Sequence, residues 1–283
     1  MKRRYLSSLA AVGFAALFCG PDPALAQGYL GPNLSPFAVL AGSGVTCTGA
    51  STVTGDLGTS PTASVIGFPV PCTVLGTIHA ADATAAAAQV DLTTAFTTIG
   101  PTLPCGLDLT GTDLGGLTLT PGVYCFSTSA QLTGLLTLNA LGNPSAVWVF
   151  RIGSTLTTAS GSSVVFINGG NPCAVQWRVG TSATLGTTTS FVGNILAQAS
   201  ITLNTGASLA GRALARTGAV TLDGNNVAAF TGCGAGGGPG GVPPPFPGPV
   251  PTLPEIGAWA LLVVLLGSGA YLLGRRTPTV ASR

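Results

Sequence analysis

Charge is what this chain has least of. Only 6% of its 283 residues are Asp, Glu, Lys or Arg, where an ordinary soluble domain has about a quarter. Between Gln27 and Val250 there is no Lys and no Glu. Four arginines (Arg151, Arg178, Arg212, Arg216) face six aspartates (Asp56, Asp82, Asp91, Asp108, Asp113, Asp223), a balance of −2, so the overall +2 belongs to the termini. Phosphate binding needs clustered cations, which argues against a nucleic-acid partner. The sole histidine is His79 and there is no Cys-x-x-Cys, which argues against a metal site. Glycosidic chemistry needs paired carboxylates, and the nearest pair here is Asp108 and Asp113, in a turn-rich stretch. The sequence predicts no catalytic residue, no cofactor and no metal.

What the chain has in quantity is Gly, Thr, Ala, Ser and Leu. The apolar fraction of 46% is too high for a disordered chain, and there is a repeat. A Thr-Leu series runs through Thr118-Leu119, Thr137-Leu138, Thr155-Leu156, Thr184-Leu185, Thr202-Leu203 and Thr221-Leu222. The step from one to the next is about 18 or 19 residues, apart from one of about 29, and such a period marks a solenoid. The long step, from Thr155 to Thr184, reads as one coil plus about eleven inserted residues. Around each dipeptide the pattern alternates, as in Thr118-Leu119-Thr120 and Thr155-Leu156-Thr157, so Leu faces in and Thr out. Stacked strands lie about 4.7–4.9 Å apart, and residues i and i+2 about 6.6 Å. The expectation is one flat grid of hydroxyls: Thr118, Thr120, Thr137, Thr155, Thr157, Thr184, Thr202 and Thr221, with the second column broken at Gly186. A further candidate column lies two residues after Leu: Thr158, Thr187 and Thr205.

Residues 1–26 read as a secretory signal, with Lys2-Arg3-Arg4, an apolar run from Leu9 to Phe18, and Ala24-Leu25-Ala26 before the cut. Six cysteines then remain: Cys47, Cys72, Cys105, Cys125, Cys173 and Cys233. An even number in an exported chain predicts disulfides. Six allow fifteen connectivities, of which Cys47–Cys72 and Cys105–Cys125 are the local choices. Residues 79–99 are predicted to be helical, with an apolar stripe of Ala83, Ala86, Ala87, Val90, Ala95 and Ile99, and Asp82 favourable in the first turn. Gly100-Pro101 ends the helix. His79 reads as structural. Trp148 and Trp177 each stand near an arginine on matching strands, and Arg151 and Arg178 are expected to cover an aromatic ring or meet a carboxylate. Residues 234–249 are a Gly/Pro linker. In residues 250–283, an apolar segment over about 256–273 precedes Arg275-Arg276, just long enough to span a bilayer with its basic end in the cytoplasm.

The stretch from Leu30 to about Phe230 resembles the ice-binding-like family of bacteria and fungi. The match is carried by Phe37-Ala38-Val39-Leu40-Ala41-Gly42-Ser43, Gly55-Asp56-Leu57-Gly58-Thr59-Ser60-Pro61, Leu119-Thr120-Pro121-Gly122-Val123-Tyr124, Phe191-Val192-Gly193-Asn194-Ile195-Leu196-Ala197 and Gly211-Arg212-Ala213-Leu214-Ala215. The resemblance implies an all-β right-handed β-solenoid of triangular section over residues 27–233, with one long helix alongside. It also implies that the end of the chain returns beside the N-terminal coil. It makes an ice surface the expected partner and the threonines above the candidate contacts. The alternative on the same scaffold is a surface adhesin or matrix protein with a surface or matrix ligand. The motif Val250-Pro251-Thr252-Leu253 resembles the sorting tails of Gram-negative surface proteins, which begin Ile-Pro-Thr-Leu. That implies a tail in the membrane, a sorting protease as partner, and a final location at the cell surface or outside the cell.

Overall fold

The structure, a computed structural model, describes residues 29–230. The signal segment 1–26, the 234–249 linker, the 250–283 tail with its 256–273 segment, and Cys233 lie outside the described residues. Within them the chain is mostly β, with parallel sheets and one helix. Twenty-two short strands form one sheet of fifteen and one of seven. A parallel pair needs a long crossover between its strands. Here the crossover is the remainder of one winding of the chain, which contributes strands to the other ladders before coming back alongside itself.

Three ladders result. The threonine ladder is the seven-stranded sheet, in the order Ala130–Leu132, Leu156–Thr158, Ala183–Leu185, Ile201–Leu203, Ala219–Asp223, Gly44–Thr48 and Val65–Ile66. The helix-side ladder runs through Leu107–Asp108, Gly122–Phe126, Trp148–Ile152 and Val175–Val179, then through the C-terminal halves of Ser190–Ala197 and Ser208–Ala215. It continues through Phe37–Ala41, Asp56–Thr59 and Ile78–Ala80. The third ladder contains Thr118–Leu119, Leu135–Asn139, Ser163–Ile167, the N-terminal halves of those two long strands, Asn226–Ala228, Thr52–Thr54 and Thr73–Leu75. Rung order is not chain order. Ala219–Asp223 pairs with Gly44–Thr48, and Asn226–Ala228 lies between Ser208–Ala215 and Thr52–Thr54, the return that the family resemblance implied.

The regular winding is 18 residues long, as from Asn194 to its register partner Arg212. Two successive windings are longer by about half: Trp148 pairs with Gly122 before it and with Val175 after it. Their extra residues form corners at 139–145 and 168–174. The two corners stack, with the Gly142 amide donating to the Asn168 carbonyl at 3.0 Å and the Asn168 side chain to Asn139 at 3.0 Å. The single insertion read from the dipeptide spacing is therefore corrected to two.

Inward-facing Leu185, Leu203 and Leu222 stack without exposure, and each such burial contributes roughly 1.5–3 kcal/mol. On the helix-side ladder Phe150 stacks on Trp177 at 3.8 Å and 7°. Trp148 pairs with Val175, not with Trp177; the two tryptophan strands are offset by two residues, which corrects the expected match. Disulfides join Cys47 to Cys72 and Cys105 to Cys125, and Cys173 is also disulfide-bonded.

The helix α1 spans Ala83–Thr98. Asp82 is its N-cap and not part of its first turn, its carboxylate accepting from the Ala85 amide at 2.8 Å. The buried face is Ala85, Ala88, Leu92, Ala95 and Phe96, followed by Ile99. The predicted stripe is thus corrected: Val90 is 66% exposed, because Leu92 and Phe96 carry more apolar area than any alanine and set the orientation. They pack on Phe37, Leu40, Val149, Leu196 and Leu214. At about 1.5 Å per residue, sixteen residues cover about 24 Å, or five rungs. The helix carries the chain back along the stack from the His79 edge towards the Asp108 edge.

Arginines on the helix-side ladder hold the far end of α1. Arg178 Nε donates to the Phe96 carbonyl at 3.2 Å and its guanidinium lies 4.2 Å from the Phe96 ring centre; Arg216 lies 4.7 Å from the same ring. A cation at a helix C-terminus complements the helix dipole. Arg151 donates to the Leu103 carbonyl. Burial, then the neighbouring Arg151 and Arg216, lower the Arg178 pKa. Of the two expected partners, Arg178 takes the aromatic ring; among the described residues the ion pairs within 4.0 Å involve only His79.

Candidate functional site

The outward face of the threonine ladder is the most regular surface of the described chain. Its middle column reads Gln131, Thr157, Thr184, Thr202, Thr221, Thr46 and Ile66, each paired in register with the next. Five consecutive rungs therefore carry threonine. Two residues earlier on each rung the register places Ser129, Thr155, Ser182, Ser200, Ala219, Gly44 and Ser64. Two residues later it places Thr133, Ala159, Gly186, Asn204, Asp223 and Thr48. Small side chains keep the columns low. Gly186 admits nothing larger, since a Cβ there would lie 2.6 Å from the Thr158 carbonyl oxygen.

The hydroxyls of Thr46, Thr157, Thr184, Thr202 and Thr221 have no hydrogen-bond partner among the described residues. Some threonines elsewhere are bonded to the protein, Thr94, Thr97 and Thr98 to helix carbonyls, Thr217 to the Gln198 carbonyl and Thr62 to the Ser43 carbonyl; others, such as Thr118 and Thr137 on the third ladder, are unbonded as well, so what distinguishes the middle column is its register. At the edges of the ladder Thr155 donates to Ser129 at 2.7 Å, and Asp223 accepts from Thr48 at 3.3 Å and from Thr205. Asp223 is the one charged side chain in the three columns.

The structure redistributes the sequence-predicted residues. The six dipeptides do not share a face. Thr155, Thr184, Thr202 and Thr221 lie on the threonine ladder, but Thr118 and Thr137 pair on the third ladder, with Thr120 two residues beyond Thr118. There the column continues Val165, Val192, Ala210 and Ala228, so only two rungs in succession carry threonine. The dipeptide Thr155-Leu156 is also out of phase. Leu156 pairs with Ala183 and Thr157 with Thr184, so Thr157 belongs to the middle column and Thr155 to its neighbour. Thr158 then occupies the inward column beside Leu132. It is 3% exposed, within 2.9 Å of the Thr189 hydroxyl, and accepts from the Gly186 amide at 2.8 Å. This removes it from the surface column in which it was expected. Thr187 and Thr205 are exposed at the corner.

Thr46 was missed because it is not followed by Leu and precedes the periodic Thr-Leu series by a long stretch. The signal was present: Gly44-Val45-Thr46-Cys47-Thr48 repeats the pattern of Ala219-Val220-Thr221-Leu222-Asp223, the strand it pairs with.

Beyond the Gln131 end, an open depression is lined by Thr112, Asp113, Gln131, Thr155 and Thr157. Burial pushes the Asp113 pKa up, but hydrogen bonds from Thr133 and the Gly115 amide outweigh it and the net shift is downward. His79 lies 2.7 Å from Asp82 and 3.6 Å from Asp56, beside Phe37, where it ties the helix start to the ladder edge.

Residues 39–228 match the ice-binding-like family model. An ice-binding protein of Nostoc sp. (strain HG1) is 55% identical over 228 residues, which is 80% of this chain and 83% of that protein. The crystal structure of an ice-binding protein from the Antarctic ascomycete Antarctomyces psychrotrophicus superposes with a TM-score of 0.68 at 42% identity, covering 71% of this chain and 98% of the other. An Arctic yeast ice-binding protein, solved for the structural basis of its antifreeze activity, gives 0.67 at 31% identity, over 76% and 95%. The chain belongs to the ice-binding-like family.

Proposed function

We propose that this chain is an exported, non-catalytic protein that binds ice, and that the threonine ladder is the contact surface. The fold in this reading is a right-handed β-solenoid of triangular section, whose three sides are the three ladders. The observation that carries the reading is the set of five in-register threonines whose hydroxyls have no partner among the described residues. Their neighbours along the stack are about 4.7–4.9 Å apart, and the flanking columns about 6.6 Å to either side. Each threonine offers one hydroxyl, able to donate and accept, next to one methyl. Water held on such a grid is ordered at regular intervals and joins a lattice without prior reorganisation of the surface. No single contact dominates, so loss of function is graded when hydroxyls are removed and abrupt when the plane is broken. An ice-binding relative at 55% identity supports the ligand. The signal segment supports export. The tail after residue 250 supports membrane insertion followed by sorting to the cell surface.

Thermal hysteresis and ice shaping of the oxidised protein test the proposal. Faceted crystals and a gap between melting and freezing are expected. Round, freely growing crystals from a folded sample would refute ice binding and leave the adhesin on the same scaffold.

A further inference from the structure

Asp223 is anomalous. The three outward columns of the threonine ladder are otherwise uncharged, and every other charged group of the described chain lies elsewhere. Asp223 stands in the column of Asn204 and Thr48, its register partners on the two adjacent rungs, and next to Thr221 of the middle column. Its carboxylate is not bare. Oδ2 accepts the Thr205 hydroxyl, and Oδ1 lies 3.3 Å from the Thr48 hydroxyl, whose proton it shares with the Leu222 carbonyl at the same distance. Its backbone is fixed independently, the Asp223 amide donating to Asn225 Oδ1 at 2.5 Å and its carbonyl accepting from Gly206 at 3.1 Å.

We infer that Asp223 is a specificity-determining residue of the ice-facing ladder, one that limits how far the lattice contact extends. The inference rests on the reading of that ladder as the ice-contact surface. A carboxylate holds water in a shell shaped by its own charge, and removing a charge from mobile water costs free energy unless protein donors replace it. Ice is a poor replacement, because its molecules are fixed by the lattice and cannot all turn protons towards one anion. Thr205 supplies a charge-assisted donor, with Thr48 as a second that is shared with the Leu222 carbonyl, and together they make the carboxylate tolerable at the edge of the contact. The Thr205 proton is thereby turned to Asp223 and the Thr48 proton is held between Asp223 and the Leu222 carbonyl, leaving both hydroxyls only acceptor capacity towards the ligand. On this side of the ladder the uncharged column of Ala159, Gly186 and Asn204 is interrupted at Asp223, one rung before Thr48. The residue tunes activity downward by interrupting the contact in this edge column.

The test compares thermal hysteresis and melting temperature of the full chain for wild type, Asp223→Asn, Asp223→Thr, Thr205→Ala and the double variant Thr205→Ala/Asp223→Asn. Asn and Thr are the residues already present one rung to either side in the same column, so both fit the local backbone. Asp223→Asn is expected to raise activity about two- to five-fold at matched concentration, with Asp223→Thr in the same direction. Thr205→Ala is expected to lower activity in the wild type, by exposing the carboxylate, and to cost less in the Asp223→Asn background. A purely structural role for Asp223 would move the melting temperature and give no such dependence between the two sites. Two folded carboxylate-free variants no more active than an active wild type would overturn the inference while leaving ice binding intact. An inactive, folded wild type would overturn the ice reading and this inference with it.

Discussion

Thr158 shows how little separates a surface threonine from a core one in this chain. It shares sequence context with the ladder threonines, yet it stands in an inward column with Leu132, Leu185, Leu203, Leu222 and Cys47. Its hydroxyl is tolerated because it meets Thr189 and the Gly186 amide. Thr158→Val removes that acceptor and leaves a buried amide unpaired, so a loss of about 1–3 kcal/mol is expected in denaturant unfolding. The hysteresis of the folded protein should not change. Lost hysteresis at unchanged stability would place Thr158 on the ice face after all. Sequence alternation could not resolve this point. The two-residue phase shift between Thr155-Leu156 and Thr184-Leu185 follows from the length of the long winding, which pairs Thr184 with Thr157 and not with Thr155. Corner geometry leaves no mark in a period-two pattern.

Among the elements, α1 and the acidic turn residues carry the pH dependence. Asp82 is held below the usual carboxylate value by the Ala85 amide first, then by His79. Asp108 is lowered by the Thr110 hydroxyl and amide, and Asp113 by Thr133 and Gly115 against the opposing effect of burial. A carboxyl whose pKa is lower folded than unfolded stabilises the fold above its unfolded pKa. That contribution is lost as pH falls through the folded value. The melting temperature is therefore expected to be flat from pH 7 to 5 and to drop below about pH 4. The drop should be smaller in Asp82→Asn, which keeps a capping side chain but has no charge to lose. A melting temperature independent of pH down to about pH 2.5 would show that these bonds contribute nothing. The helix itself was legible from its alanines and from the Gly100-Pro101 stop, but its buried face was not. A stripe of small residues is nearly symmetric, and only Leu92 and Phe96 break the tie, through contacts with Leu40, Leu196 and Leu214 from windings distant in sequence.

For the molecule as a whole, a near-regular period and an almost complete lack of charge were enough to point to stacked windings and a small-residue surface. The disulfides Cys47–Cys72 and Cys105–Cys125 were legible too, as the pairs nearest in sequence. The division of the dipeptides between two ladders was not, because the step from one face to the next is as long as a full winding on one face. Nor was Thr46, which reaches the ladder only because the C-terminal winding closes against the N-terminal one. Arg212 fixes that closure. It is fully buried, with its pKa lowered to about 10 by burial, and donates to Asn194, to the Ser35 carbonyl near one end of the described chain and to the Phe230 carbonyl at the other. The proposed ice-contact surface is assembled from both ends of the domain, and it, not the third ladder, is expected to meet the ice. The most direct test is thermal hysteresis of two tyrosine variants of equal bulk: Thr202→Tyr at the centre of the threonine ladder, and Val165→Tyr, 38% exposed on the third ladder. Loss of most activity in Thr202→Tyr with near wild-type activity in Val165→Tyr is the predicted result. The reverse pattern, with both variants folded, would contradict it.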